Sequence, residues 1–131
     1  MKNERGFMLL EVLLLSFILI GFTAIIYLYN ASLRAEKTVA VRTAALYLAE
    51  EEMNYLQDLR DNKKLSEGHY DYLGEHELKL NSVDYKVYAD VTKQDEEILN
   101  AKVTVKWKIF NKERELKLER LILNQKLNYS T

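Results

Sequence analysis

Residues 7–29 read FMLLEVLLLSFILIGFTAIIYLY, and this stretch decides how the rest of the chain can fold. Its only charged residue is Glu11. About 20 apolar residues of helix span a bilayer core, more than a small domain needs for a buried helix. The stretch therefore predicts a transmembrane helix. Tyr27 and Tyr29 stand at its far end, where amphipathic rings favour the membrane interface.

The composition of the whole chain narrows the remaining choices. The chain has 131 residues, a net charge of −1, no cysteine and no proline. The length fits one small domain. The absence of cysteine excludes disulfides, thiolate metal sites and a cysteine nucleophile. The absence of proline favours long uninterrupted elements.

A cleaved secretory signal is the first alternative to a retained span. Such signals have an apolar stretch of ~7–15 residues and a small-x-small cleavage site. Here the apolar stretch is longer, and the sequence Tyr29-Asn30-Ala31 would place a tyrosine at a position that requires a small residue. We therefore expect the span to remain in the mature protein.

A polar leader and an acidic residue mark the start of the apolar stretch. Residues 2–6 read KNERG, and Glu11 follows Phe7 by four residues. A carboxylate at the centre of a spanning helix costs about 2.5–3.5 kcal/mol, and less near the edge. Either Glu11 stays hydrated near the interface, or it meets a positive charge from another chain.

This arrangement resembles the class III signal of type IV prepilins and pseudopilins. In that family a short basic leader ends in glycine, and the mature chain begins with a phenylalanine whose fifth residue is glutamate. The resemblance implies that prepilin peptidase cleaves between Gly6 and Phe7 and methylates the new Phe7 amine. It also implies that Glu11 neutralises the Phe7 amine of an adjacent subunit during filament assembly. Met8 departs from the family pattern, in which a small hydroxyl residue is commoner, and Leu28 stands where major pilins often carry a proline.

The resemblance and the composition together divide the chain. We expect a cleaved leader over residues 1–6, a transmembrane and assembly helix over 7–29, an amphipathic continuation over 30–60 and a sheet domain over 61–131. Basic residues flank both ends of the span, so their distribution does not set its orientation. The resemblance implies a single pass through the cytoplasmic membrane, with the leader in the cytoplasm and the sheet domain outside. The helix would contact lipid first and other subunits after assembly.

The continuation of the helix carries an apolar stripe. Residues 30–60 contain no glycine or proline, which favours helix throughout. The predicted stripe is Val39, Leu46, Ala49, Met53 and Leu56, widened by Val41, Ala45, Leu48, Tyr55 and Leu59. We expect Glu50, Glu51 and Glu52 to face water. The run AALYLAEEEMNYLQDLR at residues 44–60 is similar to I-type minor pseudopilins of type II secretion and V-type minor pilins. That similarity implies a place with partner minor subunits at a filament tip.

The last part of the chain shows a period of two, which is typical of strands. Residues 83–91, 101–110 and 114–123 alternate, and residues 75–80 form a weaker edge strand. Residues 111–113 are the expected turn before the last strand. Leu121 and Leu123 fall out of phase with the preceding leucines, which predicts a bulge near Arg120. The expected fold is α+β, pilin-like, with the helix packed on an antiparallel meander of about four strands.

No catalytic constellation is present in the sequence. It has no Ser-His-Asp order, phosphate loop or H-E-x-x-H motif. Two groups of residue types that can bind metal ions do occur. They are His69 and His76 with Asp71, Glu75 and Glu77, and the run Asp95-Glu96-Glu97. Their spacing fits no ligand pattern, so we expect exposed loop residues, no metal, no cofactor and no enzymatic activity.

Charge is segregated along the folded part of the chain. Residues 43–100 carry 6 basic and 14 acidic side chains, and residues 101–131 carry 8 basic and 3 acidic ones. Lys102, Lys106 and Lys108 lie on one face of a predicted strand. This lysine face could contact DNA phosphates or an acidic neighbouring subunit. A solvated face that discourages edge aggregation is the simpler interpretation.

Two functions from different classes remain at this point. The first is a non-catalytic minor pilin or pseudopilin of a type IV pilus or type II secretion filament. The alternative is a single-span membrane anchor whose sheet domain binds a ligand or DNA without forming a filament. Secretion, adhesion and competence systems share the same helix, so the sequence does not separate them.

Overall fold

One long helix precedes a small sheet. The computed structural model describes residues 2–71 and 78–123, with side chains from Gly6 onward. The elements are α1 (Lys2–Asp61), β1 (Gly68–Tyr70), β2 (Leu78–Leu80), β3 (Val83–Lys93), β4 (Ile98–Ile109) and β5 (Lys112–Leu123). The predicted α+β class and pilin-like layout are confirmed, with the helix packed on an antiparallel sheet.

The sheet has five strands but is only four positions wide. β3, β4 and β5 are neighbours in the order of the chain, and every pairing is antiparallel. β1 and β2 both pair with β3, β1 beside Val91 and β2 beside Val83. The predicted meander is therefore confirmed, and its first position is shared by two short strands. Of the predicted edge strand 75–80, residues 75–77 lie outside the described residues.

The predicted bulge near Arg120 is wrong. The pairing of β4 with β5 keeps one register from Ile98 opposite Leu123 to Ile109 opposite Lys112. Alternation therefore continues to the end of β5. Ile122 is the residue that reaches the core, while Leu121 and Leu123 face outward with 60% and 64% of their surface exposed. The out-of-phase leucines belong to the outer face.

The turn into β5 lies one residue earlier than predicted. Phe110 and Asn111 form it, with φ of 48° and 59°, and residues 112 and 113 already belong to β5. Asn81 and Ser82 make the corresponding turn between β2 and β3, with φ of 51° and 62°. Two-residue turns with both central residues at positive φ match the twist of antiparallel strands.

The core lies between the last turns of α1 and the inner face of the sheet, within the compact unit Ala40–Thr131. Its buried apolar members are Val41, Ala45, Leu48, Ala49, Met53, Leu56, Leu65, Val83, Tyr85, Val87, Ala89, Val91, Leu99, Ala101, Val103, Val105, Trp107, Ile109 and Ile122. Most of the predicted helix stripe is confirmed. Val39 and Leu46 are the exceptions, 65% and 42% exposed, because a seven-residue step drifts off the buried face of a straight helix.

Glu52 is also placed differently from its prediction. It is fully buried, whereas Glu50 and Glu51 face water as expected. Glu52 follows Leu48 by four residues and precedes Leu56 by four, so helical geometry puts it on the core face. The four-residue helical spacing of Glu52 from Leu48 and Leu56 thus determines its burial, although glutamate is usually exposed.

The end of α1 is closed by backbone hydrogen bonds. The Lys64 amide donates to the Leu59 carbonyl at 2.8 Å, and the Lys63 amide donates to the Arg60 carbonyl at 2.8 Å. Lys63 has a φ of 56°, so the two bonds form the helix-ending Schellman motif. This motif turns the chain so that Leu65 joins the core.

Candidate functional site

The first candidate site is the start of α1. Gly6, Phe7 and Glu11 all lie within the helix, and Phe7 is 72% exposed. The four-residue spacing places Phe7 and Glu11 one above the other on one face. No described residue forms a hydrogen bond or ion pair with the Glu11 carboxylate, which is exposed. The residues of the sequence pattern, Gly6, Phe7 and Glu11, thus lie together on one uninterrupted helix.

The helix around Glu11 satisfies its own hydroxyl groups. Ser16 Oγ donates to the Val12 carbonyl at 2.8 Å, and Thr23 Oγ1 donates to the Ile20 carbonyl at 2.8 Å. The most apolar 18-residue window has a mean hydropathy of 2.6 and none of it is buried within the protein. By length and composition this helix could cross a membrane. Glu11 is the only charged residue in residues 7–29, so its carboxylate would need a compensating charge if this helix crossed a membrane.

The lysine face is the second candidate site. Lys102, Lys106 and Lys108 lie on the outer face of β4, and the register places a β5 carboxylate opposite each of them. Lys102 Nζ lies 3.1 Å from Glu119 Oε1. Because each lysine has an acidic neighbour, the face is a mixed ladder rather than a row of uncompensated cations. This arrangement does not favour binding to nucleic-acid phosphates.

Charged and aromatic neighbours shift the pKa values of two groups in this ladder, Lys106 and Glu115. Lys106 Nζ lies 5.5 Å from the centroid of the Tyr88 ring. Interaction with the Tyr88 side chain, followed by the carboxylates of Glu115 and Glu113, raises the pKa of Lys106. Lys117 Nζ lies 2.9 Å from Glu115 Oε1 and lowers the pKa of that carboxyl group. Both groups are solvent-exposed, so these pairs contribute little to stability.

An open cleft of about 590 Å³ adjoins the same ladder. It is lined by Asp84, Lys86, Lys106, Trp107, Lys108, Glu113, Arg114 and Glu115. Sequence reasoning did not single out Lys86, which lies directly opposite Lys106 on β3. Only the strand register could have brought these two lysines together. Among the described residues, the lining mixes acidic and basic groups and contains neither histidine nor a serine or threonine nucleophile.

Those members of the two groups of possible metal ligands that the structure describes do not form a site. His69 Nδ1 lies 2.8 Å from Asp90 Oδ1, and the His69 ring lies 5.8 Å from the Tyr88 ring. His76, Glu75 and Glu77 lie outside the described residues. Within residues 2–71 and 78–123 no group of three or more metal-binding side chains is found.

The run Asp95-Glu96-Glu97 forms the exposed loop between β3 and β4. The Asp95 carboxylate accepts a hydrogen bond from the Glu96 amide at 2.7 Å, which is a local turn contact. The Gln94 amide also donates to the Ile98 carbonyl at 3.0 Å. The loop is therefore held by its own backbone.

Comparison with family models, curated proteins and solved structures finds no match for this chain. Any functional proposal therefore rests on the two candidate sites, the start of α1 and the lysine face of β4.

Proposed function

We propose that this protein is a non-catalytic structural subunit of a type IV filament, a minor pilin or pseudopilin. In this proposal α1 anchors the chain in the cytoplasmic membrane, with residues 1–6 in the cytoplasm and the sheet domain outside. Prepilin peptidase removes the leader, and the apolar helix then packs among other subunits. The observation that carries the proposal is the Gly6-Phe7 junction with Glu11 on an uncovered apolar helix that continues into a sheet domain.

The role of Glu11 follows from the cost of burying charge. A carboxylate and an ammonium group are each unfavourable alone in lipid, but a close pair removes most of that cost. Glu11 has no partner within the described chain, whereas cleavage after Gly6 would create an amine on Phe7. The Phe7 amine of a neighbouring subunit would fix the axial register between two helices.

Processing provides the first test. Gly6→Val should block cleavage and leave a precursor six residues longer, measured as the intact mass of the purified chain. Gly21→Val is the matched control, because an added Cβ meets no atom within 4 Å at either glycine. The control should yield a mature chain that begins with methylated Phe7. A wild-type chain that keeps Met1 would support the membrane-anchored binding domain instead.

Assembly provides the second test. Glu11→Ala should leave the protein in the membrane fraction but remove it from sheared filaments, because the helix keeps its apolar surface and loses its charge partner. Glu36→Ala changes another exposed carboxylate of α1 and serves as the control. Immunoblots of membrane and filament fractions measure both quantities. Equal incorporation of the two variants would contradict the assembly role of Glu11.

A further inference from the structure

The inner face of β5 carries a row of cations that α1 leaves exposed. Lys112, Arg114 and Arg120 stand opposite buried core residues of β4, so they belong to the face of the sheet that packs on α1. All three side chains are nevertheless exposed. Leu116 and Leu118 lie between them, half-buried at the margin of the core. These five residues, which we name the basic row, combine positive charge with apolar surface.

Within residues 6–71 and 78–123, no carboxylate pairs with the cations of the basic row. The acidic residues of β5 alternate with the row and therefore point to the outer face of the sheet. There Glu115 pairs with Lys117, and Glu119 pairs with Lys102. Cations that neighbour one another on one face repel, so a surface that supplies carboxylates would stabilise the row.

The face of α1 that points away from the sheet has the opposite charge. Its residues recur at steps of three and four, which places them on one side of the helix, and they are Tyr47, Glu50, Glu51, Asn54 and Asp58. All five are exposed, and the Tyr47 side chain keeps 64% of its surface accessible. In the described part of the chain, the three carboxylates form no ion pair. We name these five residues the acidic stripe.

We propose that the acidic stripe of one copy of this chain packs on the basic row of a second copy. Three carboxylates then face three cations, and the exposed Tyr47 ring covers Leu116 and Leu118. The two surfaces belong to the same chain, are equal in number of charges and opposite in sign, and have no ion-pair partner among the described residues. The occupant of the basic row is therefore a second copy of the chain.

The contact is reciprocal and closes as a dimer. One chain cannot satisfy both surfaces with its own residues, because the stripe points away from the sheet and the row lies on the sheet itself. A twofold axis parallel to α1 places two helices side by side between two sheets, with each stripe on the row of the other copy. This axis keeps the two helices parallel, so both chains enter the dimer from the same side. The contact uses only residues of the unit Ala40–Thr131 and does not depend on cleavage of the leader.

Engineered cysteines test the contact in the full-length protein within membranes, because the natural chain contains none. Asn54→Cys marks the acidic stripe, and Leu118→Cys marks the basic row. Co-expression of the two single variants, followed by treatment with a short bismaleimide cross-linker, should give a covalent dimer on a denaturing gel. A single chain that carries both changes should also stop at the dimer, because a twofold contact leaves no free surface for a third copy.

The control for cross-linking separates the two faces of β5. Lys117 is the neighbour of Leu118 on the outer face and is exposed, so Lys117→Cys should give no product with Asn54→Cys. Each single variant alone should stay monomeric. Absence of the Asn54–Leu118 product, an equal product from the Lys117 pair, a homodimer from one single variant, or multimers beyond the dimer would each overturn the proposal. Cross-linking of Leu118→Cys to a different protein would do the same.

Charge reversal tests the chemistry of the contact. One chain carries Glu50→Lys with Glu51→Lys, and a second chain carries Arg114→Glu with Arg120→Glu. Either chain expressed alone should lose the dimer, measured by co-purification of two differently tagged copies, because like charges then meet in both contacts. Co-expression of the two altered chains should restore a dimer, because both contacts again join opposite charges, and this restoration also shows that the altered chains fold.

The control for charge reversal lies outside the contact. Glu96→Lys with Glu97→Lys reverses two exposed carboxylates of the β3–β4 loop and should keep the dimer. Loss of the dimer in this control, its retention in either altered chain alone, or failure of the two altered chains to restore it together would contradict the proposed contact.

Discussion

At the scale of single residues, Tyr85 joins the two layers of the folded domain. Its hydroxyl donates to the Val41 carbonyl of α1 at 3.1 Å, and its ring lies 6.2 Å from the Trp107 ring. Burial raises the pKa of the Tyr85 hydroxyl. A tyrosine rather than a phenylalanine on this strand thus provides a polar link between helix and sheet.

Tyr85→Phe should lower the free energy of unfolding by about 0.5–1.5 kcal/mol, the usual net value of one hydrogen bond. Because the folded pKa is raised, the contribution of the wild-type hydroxyl is complete below its unfolded pKa. It is lost as pH rises through the folded pKa. Urea unfolding in detergent at neutral and strongly alkaline pH measures both effects. An identical alkaline loss in wild type and variant would contradict this assignment.

Glu52 shows the limit of judging single residues by type. Carboxylates are rarely buried, so the run of three glutamates was predicted to face water. Helical spacing from Leu48 and Leu56 contained the correct answer, and the structure buries Glu52 completely. At this position, four-residue spacing from buried leucines predicts burial better than residue polarity does.

At the scale of elements, Leu46 and Leu56 differ in burial, although both belong to the apolar stripe predicted for α1. Leu56→Ala should cost about 2–5 kcal/mol, because Leu56 is fully buried and its truncation leaves a cavity. Leu46→Ala should cost less than about 1 kcal/mol, because Leu46 is 42% exposed. Chemical denaturation of both variants measures the difference. Comparable losses would show that Leu46 lies in the core after all.

The strands that could be predicted are those long enough to display alternation. β3 and β4 alternate over 11 and 12 residues, and both were expected within a few residues of their ends. β1 has only three residues, Gly68 to Tyr70, too few for a period to emerge. Its place beside Val91 depends on pairing with a distant strand, which no local pattern encodes.

Candidate sites divide in the same way. Gly6, Phe7 and Glu11 form a local pattern, so the sequence alone is enough to predict them as a site, and that prediction awaits the processing and assembly tests. The carboxylates opposite the lysine face stand on another strand and become its neighbours only through the β4–β5 register.

At the scale of the whole molecule, the chain consists of two compact units, residues 1–39 and 40–131. The buried apolar core begins at Val41 and lies entirely in the second unit. The first unit contains the exposed apolar helix surface that, by length and composition, could cross a membrane. The second unit is therefore stabilised by its own core, whereas the most apolar window of the helix buries none of its surface within the protein.

A fragment that begins at Ala40 should fold on its own, because it keeps every apolar residue that is buried in the described part of the chain. We expect it to be soluble without detergent and to unfold in one cooperative transition. Circular dichroism during heating checks this expectation. A matched fragment that begins at Met53 lacks Val41, Ala45, Leu48 and Ala49 and should not fold. A gradual, non-cooperative loss of signal from the longer fragment would contradict the division.

The distribution of the core along the chain also has a consequence for synthesis. Of the 19 buried apolar residues in the described ranges, all but Ile122 precede β5. A nascent chain that has emerged as far as Ile109 already holds nearly all the residues that exclude water. Folding can thus begin on the ribosome before the last strand arrives. β5 can then pair with the preformed strand β4, beginning at the Phe110–Asn111 turn.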